Sequence, residues 1–335
     1  MKRRASLLCK LITLLCLAAA GHAAGADRFY FLGYGVIQVI DGERDEIVAD
    51  IPAQGAMREA EVSADHKFLY VTASRHLVHK VDLAANRVVA TTEISGDGWD
   101  RLMFGFALAP DGRTAYGSFV SRRTDGGEVV VGKPVVAQFD LATGKPLRSL
   151  EVPYGVVRLM SVEGGRIIYA FGQDLYKIDT TGSELRIVET VPMFDKGVNI
   201  FPLWTYDTGG VVSHNYYTEK NMGLLLVDSR SGAIEDVVIK GEPAMLYSVV
   251  VAPDRKKAYG VMDDLVVIDL AKKAWGVSVP LREGTCYGVN LSSDGRKVYA
   301  GGAGPTVTVF DAKTLKPLKV LKMASDGMDI RRITF

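Results

Sequence analysis

Few residues of this chain could do chemistry, and they are scattered. His76 and His79 stand three apart, but a strand turns positions three apart to opposite faces, and no third ligand lies near, so the pair does not read as a metal site. The sequence has no Cys-x-x-Cys-His for covalent haem, no nucleophile elbow and no phosphate-binding glycine loop. A hydrolytic site would need carboxylates, histidines or amides converging on one place, and Asp100, His214 and Asn290 show no such convergence. The richest set is instead Trp99, Asp100, Arg101, Met103, Tyr154, Arg158, Trp204, Tyr247 and Tyr287. Aromatics with a few arginines are the composition of an interface centre. The chemistry they suggest is recognition.

Those residues lie where the chain approaches short apolar strands, and the strands recur. An apolar-Asp pair closes seven of them, at Ile40-Asp41, Val81-Asp82, Phe139-Asp140, Ile178-Asp179, Val227-Asp228, Ile268-Asp269 and Phe310-Asp311. The separations are 41, 58, 39, 49, 41 and 42 residues, a period of propeller blades or helical solenoids. Turn signals precede the strands, such as Pro110-Asp111-Gly112 and Ser293-Asp294-Gly295, and such pairs join antiparallel strands. No stretch outside the N-terminus has helical periodicity, so the unit is sheet.

One complete unit reads as strands at Tyr287 to Leu291, Lys297 to Gly301, Thr306 to Asp311 and Leu318 to Met323, the four strands of a propeller blade. The first unit lacks an inner strand, and the chain ends on a lone strand-like segment, Asp329 to Phe335, that can slot beside Arg28 to Leu32. The fold expected is all-β, a seven-bladed β-propeller closed by pairing of the C-terminal strand with the N-terminal blade. The repeated aspartates read as turn formers. Tyr70, Tyr116, Tyr169, Tyr259 and Tyr299 recur at one position of the unit and read as packing residues. Two units are long, carrying Ser121 to Glu128 and His214 to Asn221; both are expected as surface loops, the second suited to contact.

Residues 1–26 have the layout of a secretory signal peptide: Lys2, Arg3 and Arg4, an apolar stretch, then Ala24-Gly25-Ala26. The propeller is expected over 27–335, exported to the periplasm with no membrane span. Cys9 and Cys16 would leave with the signal, making Cys286 the lone thiol and excluding an internal disulfide. The net charge of +1, without a basic tract, argues against nucleic acid.

Leu102 to Gly112, Tyr287 to Gly295 and Gly301-Gly302 through Phe310-Asp311-Ala312-Lys313-Thr314-Leu315 resemble the β subunit of quinohemoprotein amine dehydrogenase. The resemblance implies a periplasmic heterotrimer oxidising primary amines to aldehydes. A double-haem cytochrome subunit would hold c-type haem and a small subunit would carry cysteine tryptophylquinone. The propeller would hold no cofactor and no catalytic residue, support the small subunit and wall the substrate pocket. The partner or pocket face is then expected at Trp99, Asp100, Met103, Tyr154, Arg158, Trp204, Tyr247 and Tyr287. A stand-alone periplasmic binding propeller of the generic repeat type is the alternative, and a lactonase-like propeller enzyme is a third reading, disfavoured because Asp100, His214 and Asn290 fail to converge.

Overall fold

The computed structural model describes residues 26–96, 98–200 and 204–335; the expected signal peptide lies outside them except for Ala26. The last repeat shows how sequence becomes sheet. Strands Gly288–Leu291, Lys297–Gly301, Thr306–Asp311 and Pro317–Lys322 pair antiparallel in that order. The first three are buried on both faces, and the outermost alternates with solvent. That gradient is why the inner strands read as near-continuous apolar runs.

The described residues form six hydrogen-bonded sheets, not the seven expected. The first is six-stranded, in the order Gly327–Thr334, Asp27–Asp41, Glu46–Val62, Phe68–Ala73, Leu77–Asp82, Arg87–Glu93. Glu46–Val62 is the cause: its 17 residues run unbroken, pairing through the first half with Asp27–Asp41 and through the second with Phe68–Ala73. Two repeat markers, Asp41 and Asp82, therefore share one sheet. Within that sheet a cluster including Tyr30, Ile37, Ile51, Met57 and Val71 fills the space between its halves. Counted by continuous sheets, the propeller has six blades.

The remaining five sheets follow in chain order, except that Trp204–Thr205 crosses ahead to pair in parallel with Ser248–Val251 of the next sheet, and their inner strands pack side by side around a channel. The ring closes through Gly327–Thr334, which pairs antiparallel with Asp27–Asp41 from Leu32↔Asp329 to Asp27↔Thr334. Phe29 stacks on Tyr299 at 3.8 Å across this seam. No strand edge is left open there.

The repeated aspartates each accept backbone N–H groups of their own turn, as Asp311 does from Lys313 at 3.1 Å and Thr314 at 2.7 Å. Turn N–H and hydroxyl donors hold Asp41, Asp140, Asp179, Asp228, Asp269 and Asp311 below the usual carboxylate range. The repeated tyrosines are buried. Three tie neighbouring repeats: Tyr169 donates to the Gly232 carbonyl at 2.5 Å, Tyr259 to the Ala312 carbonyl at 2.9 Å and Tyr299 to the Asp45 carboxylate.

Antiparallel order sorts the connections onto two faces. The upper face carries the segments leading into each inner strand and the hairpins between the second and third strands, which bond to one another, as Met103 N does to Arg75 O at 2.7 Å. The aspartate turns occupy the lower face. Of the two long inserts, the first is a surface hairpin on the upper face, Thr114–Asp125 paired with Glu128–Val131. The second is a surface turn only at Thr218–Asn221, and its first half, His214 to Tyr217, is not loop. Val211–Tyr217 is a strand buried at every residue, because neighbouring sheets cover both of its faces. Its polar groups find partners there: Ser213 donates to Val249 O at 2.6 Å and Asn215 to Leu246 O at 2.8 Å.

Candidate functional site

Three of the aromatics singled out by sequence meet at the upper mouth of the channel. Tyr247 N bonds Val261 O at 2.8 Å, and the Tyr287 carbonyl accepts the Ser248 hydroxyl at 2.7 Å, which fixes the backbone under both rings. Tyr287 stacks on Trp204 at 5.3 Å and meets Tyr247 edge-on at 5.1 Å. Trp204 is buried, and its indole N–H donates to the Arg58 carbonyl at 3.0 Å, 146 residues away. Tyr247 and Tyr287 are half-buried and pack on the core. The result is a prebuilt aromatic platform with an anchored base.

Below it the channel is ionic. Arg158, only 5% exposed, pairs with Glu59 and, at 3.5 Å, with Glu61. Burial pushes both glutamates above the usual carboxylate range, with the Arg158 and Arg331 charges pulling the other way. Arg331 contacts Asp329 at 2.6 Å and donates to Thr205 O at 2.5 Å. Burial alone would lower Arg331, but Asp329 holds it raised. Tyr206 donates to Asp329 at 2.7 Å, and burial together with that carboxylate keeps the phenol protonated. Arg158, Thr205 and Arg331 line a cavity of about 260 Å³. Arg158 Nε, Arg331 Nη2 and Thr205 Oγ1 find no protein partner. These donors suit water or a small polar molecule.

Other expected face residues go elsewhere. Met103 is buried in the core with Phe106 and Phe119, away from any contact surface. Trp99 and Asp100 brace the projecting hairpin: Asp100 pairs with Arg122 at 2.8 Å, and the Arg123 guanidinium lies 5.0 Å over the Trp99 ring. Tyr154 stands on the upper face, 64% exposed. His79 is buried, its Nε2 bonded to the Gln54 carbonyl and its Nδ1 to Thr91 Oγ1, both at 2.8 Å, and burial lowers its pKa. A carbonyl only accepts, so Nε2 carries the proton. His214 stacks on Phe171 at 3.7 Å; burial, then the Arg158 charge, keeps it neutral. Among the described residues no three His, Cys, Asp or Glu side chains gather in a metal-holding group.

The glutamates, Asp329, Arg331 and Tyr206 escaped sequence reasoning. Their signal was present: Glu59 with Glu61, and Asp329 with Arg331, sit two apart on strands otherwise facing a core.

No family model matches the chain, and no curated protein matches it. Solved structures do. A functionally unknown protein from Desulfotomaculum acetoxidans is 13% identical with a TM-score of 0.61, covering 92% of this chain and 98% of that one. The dihydro-heme d1 dehydrogenase NirN in complex with DHE is 16% identical with a TM-score of 0.57, covering 93% and 75%. Kuenenia stuttgartiensis hydrazine synthase is 15% identical with a TM-score of 0.56, covering 87% and 90%. The likeness shows the fold. At these identities function does not travel with it.

Proposed function

We propose that the chain is a non-catalytic propeller subunit of a periplasmic redox complex that presents its upper face, centred on Trp204, Tyr247 and Tyr287, to a partner protein. The observation that carries this reading is the platform itself: rigid aromatics at a channel mouth, half open to solvent and anchored across the channel. Two of the similar structures bear the names of a dehydrogenase and a hydrazine synthase, which agrees with a redox setting. In its finer form the complex is an amine dehydrogenase, with cysteine tryptophylquinone and c-type haem held by the partner subunits.

This chain's own residues do not fit either group. Covalent haem needs paired cysteines with a histidine, whereas Cys286 is buried and burial pushes its thiol up to about 12. The propeller's part is to dock the partner, exclude water and orient an amine against it. A stand-alone binding role is the second reading, favoured by the unpartnered donors of Arg158, Arg331 and Thr205 around the channel cavity.

The test is pull-down with amine-dependent dye reduction for Tyr247→Ala and Tyr287→Ala beside Lys272→Ala, a lower-face change. A central interface aromatic costs about 2 kcal/mol on truncation, roughly thirtyfold in affinity. Folded tyrosine variants that assemble and turn over like the control would remove the platform from the interface. Amine oxidation by the isolated chain would overturn the non-catalytic assignment.

A further inference from the structure

Strand Glu128–Val131 is exposed at every residue, with Val129 66% and Val131 58% exposed. Single apolar residues at a surface are ordinary, but three consecutive valines on an open strand edge are a template for pairing. The strand bonds Thr114–Asp125 on one side, with Asp125↔Glu128, Thr124↔Val129, Arg123↔Val130 and Arg122↔Val131 in register. No strand among the described residues covers its other side. No lysine, proline or bulge interrupts the valines, so the usual edge protections are missing there.

The turn shows which groups face the open side. Gly126 and Gly127 have φ of 56° and 90°, the two positive values of a type I′ turn, which closes on a hydrogen-bonded pair. Asp125↔Glu128 is that pair, and Gly132 N donates to Ser121 O at 2.8 Å four residues along. Bonded and non-bonded pairs alternate in an antiparallel ladder. Val130 therefore bonds Arg123, while the N–H and C=O of Val129 and Val131 point to the open edge. The hairpin is not slack: Asp100 holds Arg122, Arg123 covers Trp99, and a Cβ at Gly132 would stand 3.4 Å from that ring.

We propose that the occupant of this edge is a second copy of the chain, paired antiparallel about a twofold axis at Val130. The run Val129-Val130-Val131 matches itself reversed about Val130. In that register Val129 bonds Val131 of the other copy, Val130 faces its own counterpart, and each Glu128 stands opposite the other copy's Gly132. Shifting by two residues sets valine against Gly127 or Lys133 and loses two of the three cross-strand valine pairs. The contact is isologous, as a twofold dimer requires. A four-residue strand buries less than the ~1,200 Å² of a standard interface, so the dimer is weak and concentration-dependent.

Sedimentation velocity of the purified chain from about 1 to about 200 µM is expected to show a monomer shifting reversibly to a dimer. Val131→Pro removes an N–H aimed at the open edge and none of the hairpin's own bonds, and is expected to weaken the dimer at least tenfold. Val130→Cys sets the register without relying on proline. Non-bonded partners lie about 4.5 Å apart at Cα, within disulfide reach, so this variant should cross-link to itself under mild oxidation. Val129→Cys should not, but should cross-link when mixed with Val131→Cys. A wild-type chain that stays monomeric throughout, or Val130→Cys cross-linking no faster than Val129→Cys, overturns the proposal.

Discussion

Arg158→Met isolates the channel's ion pairs. Arg158 is the partner of both Glu59 and Glu61, whose side chains are 12% and 24% exposed. Removing one member of a buried pair leaves the other charge uncompensated and costs about 3–5 kcal/mol. For a chain of this size that lowers the thermal midpoint by about 5–15 °C. The loss should depend on pH, and the sign follows from the glutamates. Both already have folded pKa values raised above the ordinary range by burial, and losing Arg158 raises them further. A raised group contributes stability that is present below its unfolded pKa of about 4.3 and is lost as pH rises through the folded value. The variant's deficit is therefore largest at pH 7–8 and narrows toward pH 5, where the glutamates take up protons. Urea titrations of wild type, Arg158→Met, and Arg158→Met with Glu59→Gln across that range give the measurement. The double variant should be more stable than the single one at neutral pH. A deficit under about 0.5 kcal/mol, or one flat with pH, would show that the channel is wet enough to screen the pair and refute the reasoning.

Deleting Ile330 to Phe335 strips most of the closing strand and opens an edge at Asp27–Asp41, so the truncated chain should aggregate or melt far below wild type by calorimetry. Tyr169→Phe leaves the Gly232 carbonyl without its buried donor and should cost about 1–3 kcal/mol in chemical denaturation; an unchanged midpoint would mean that water replaces the hydroxyl. The turn aspartates have depressed pKa values. Their contribution is complete above the unfolded value of about 3.9 and is lost as pH falls through the folded values. Stability should thus decline below about pH 4, and Asp140→Asn with Asp311→Asn should flatten that decline in acid titration followed by circular dichroism.

Strand positions, aspartate turns and the closing segment were legible in the sequence because each depends on near neighbours. Asp311 bonds the N–H groups two and three residues on, and the four strands of the last repeat fall within a residue or so of their expected bounds. Ring closure could be inferred as well, since a lone strand at one end matched a missing strand at the other. Whether consecutive strands separate or run on was not written locally. Glu46–Val62 continues unbroken where the repeat suggested a boundary, and only its pairing on both sides merges two repeats into one sheet. His214 to Tyr217 looked like a polar surface loop because its composition is polar and aromatic. Burial on both faces became visible only with Phe171 and Leu246 placed against it. The same holds at the site. The sequence identified Trp204, Tyr247 and Tyr287 as aromatics near strand starts, but their stacking, the reach of Trp204 to Arg58 and the pairing of Arg158 with Glu59 across 99 residues are set by ring geometry. Charge and aromaticity are properties of a residue, whereas convergence on a channel belongs to the closed ring.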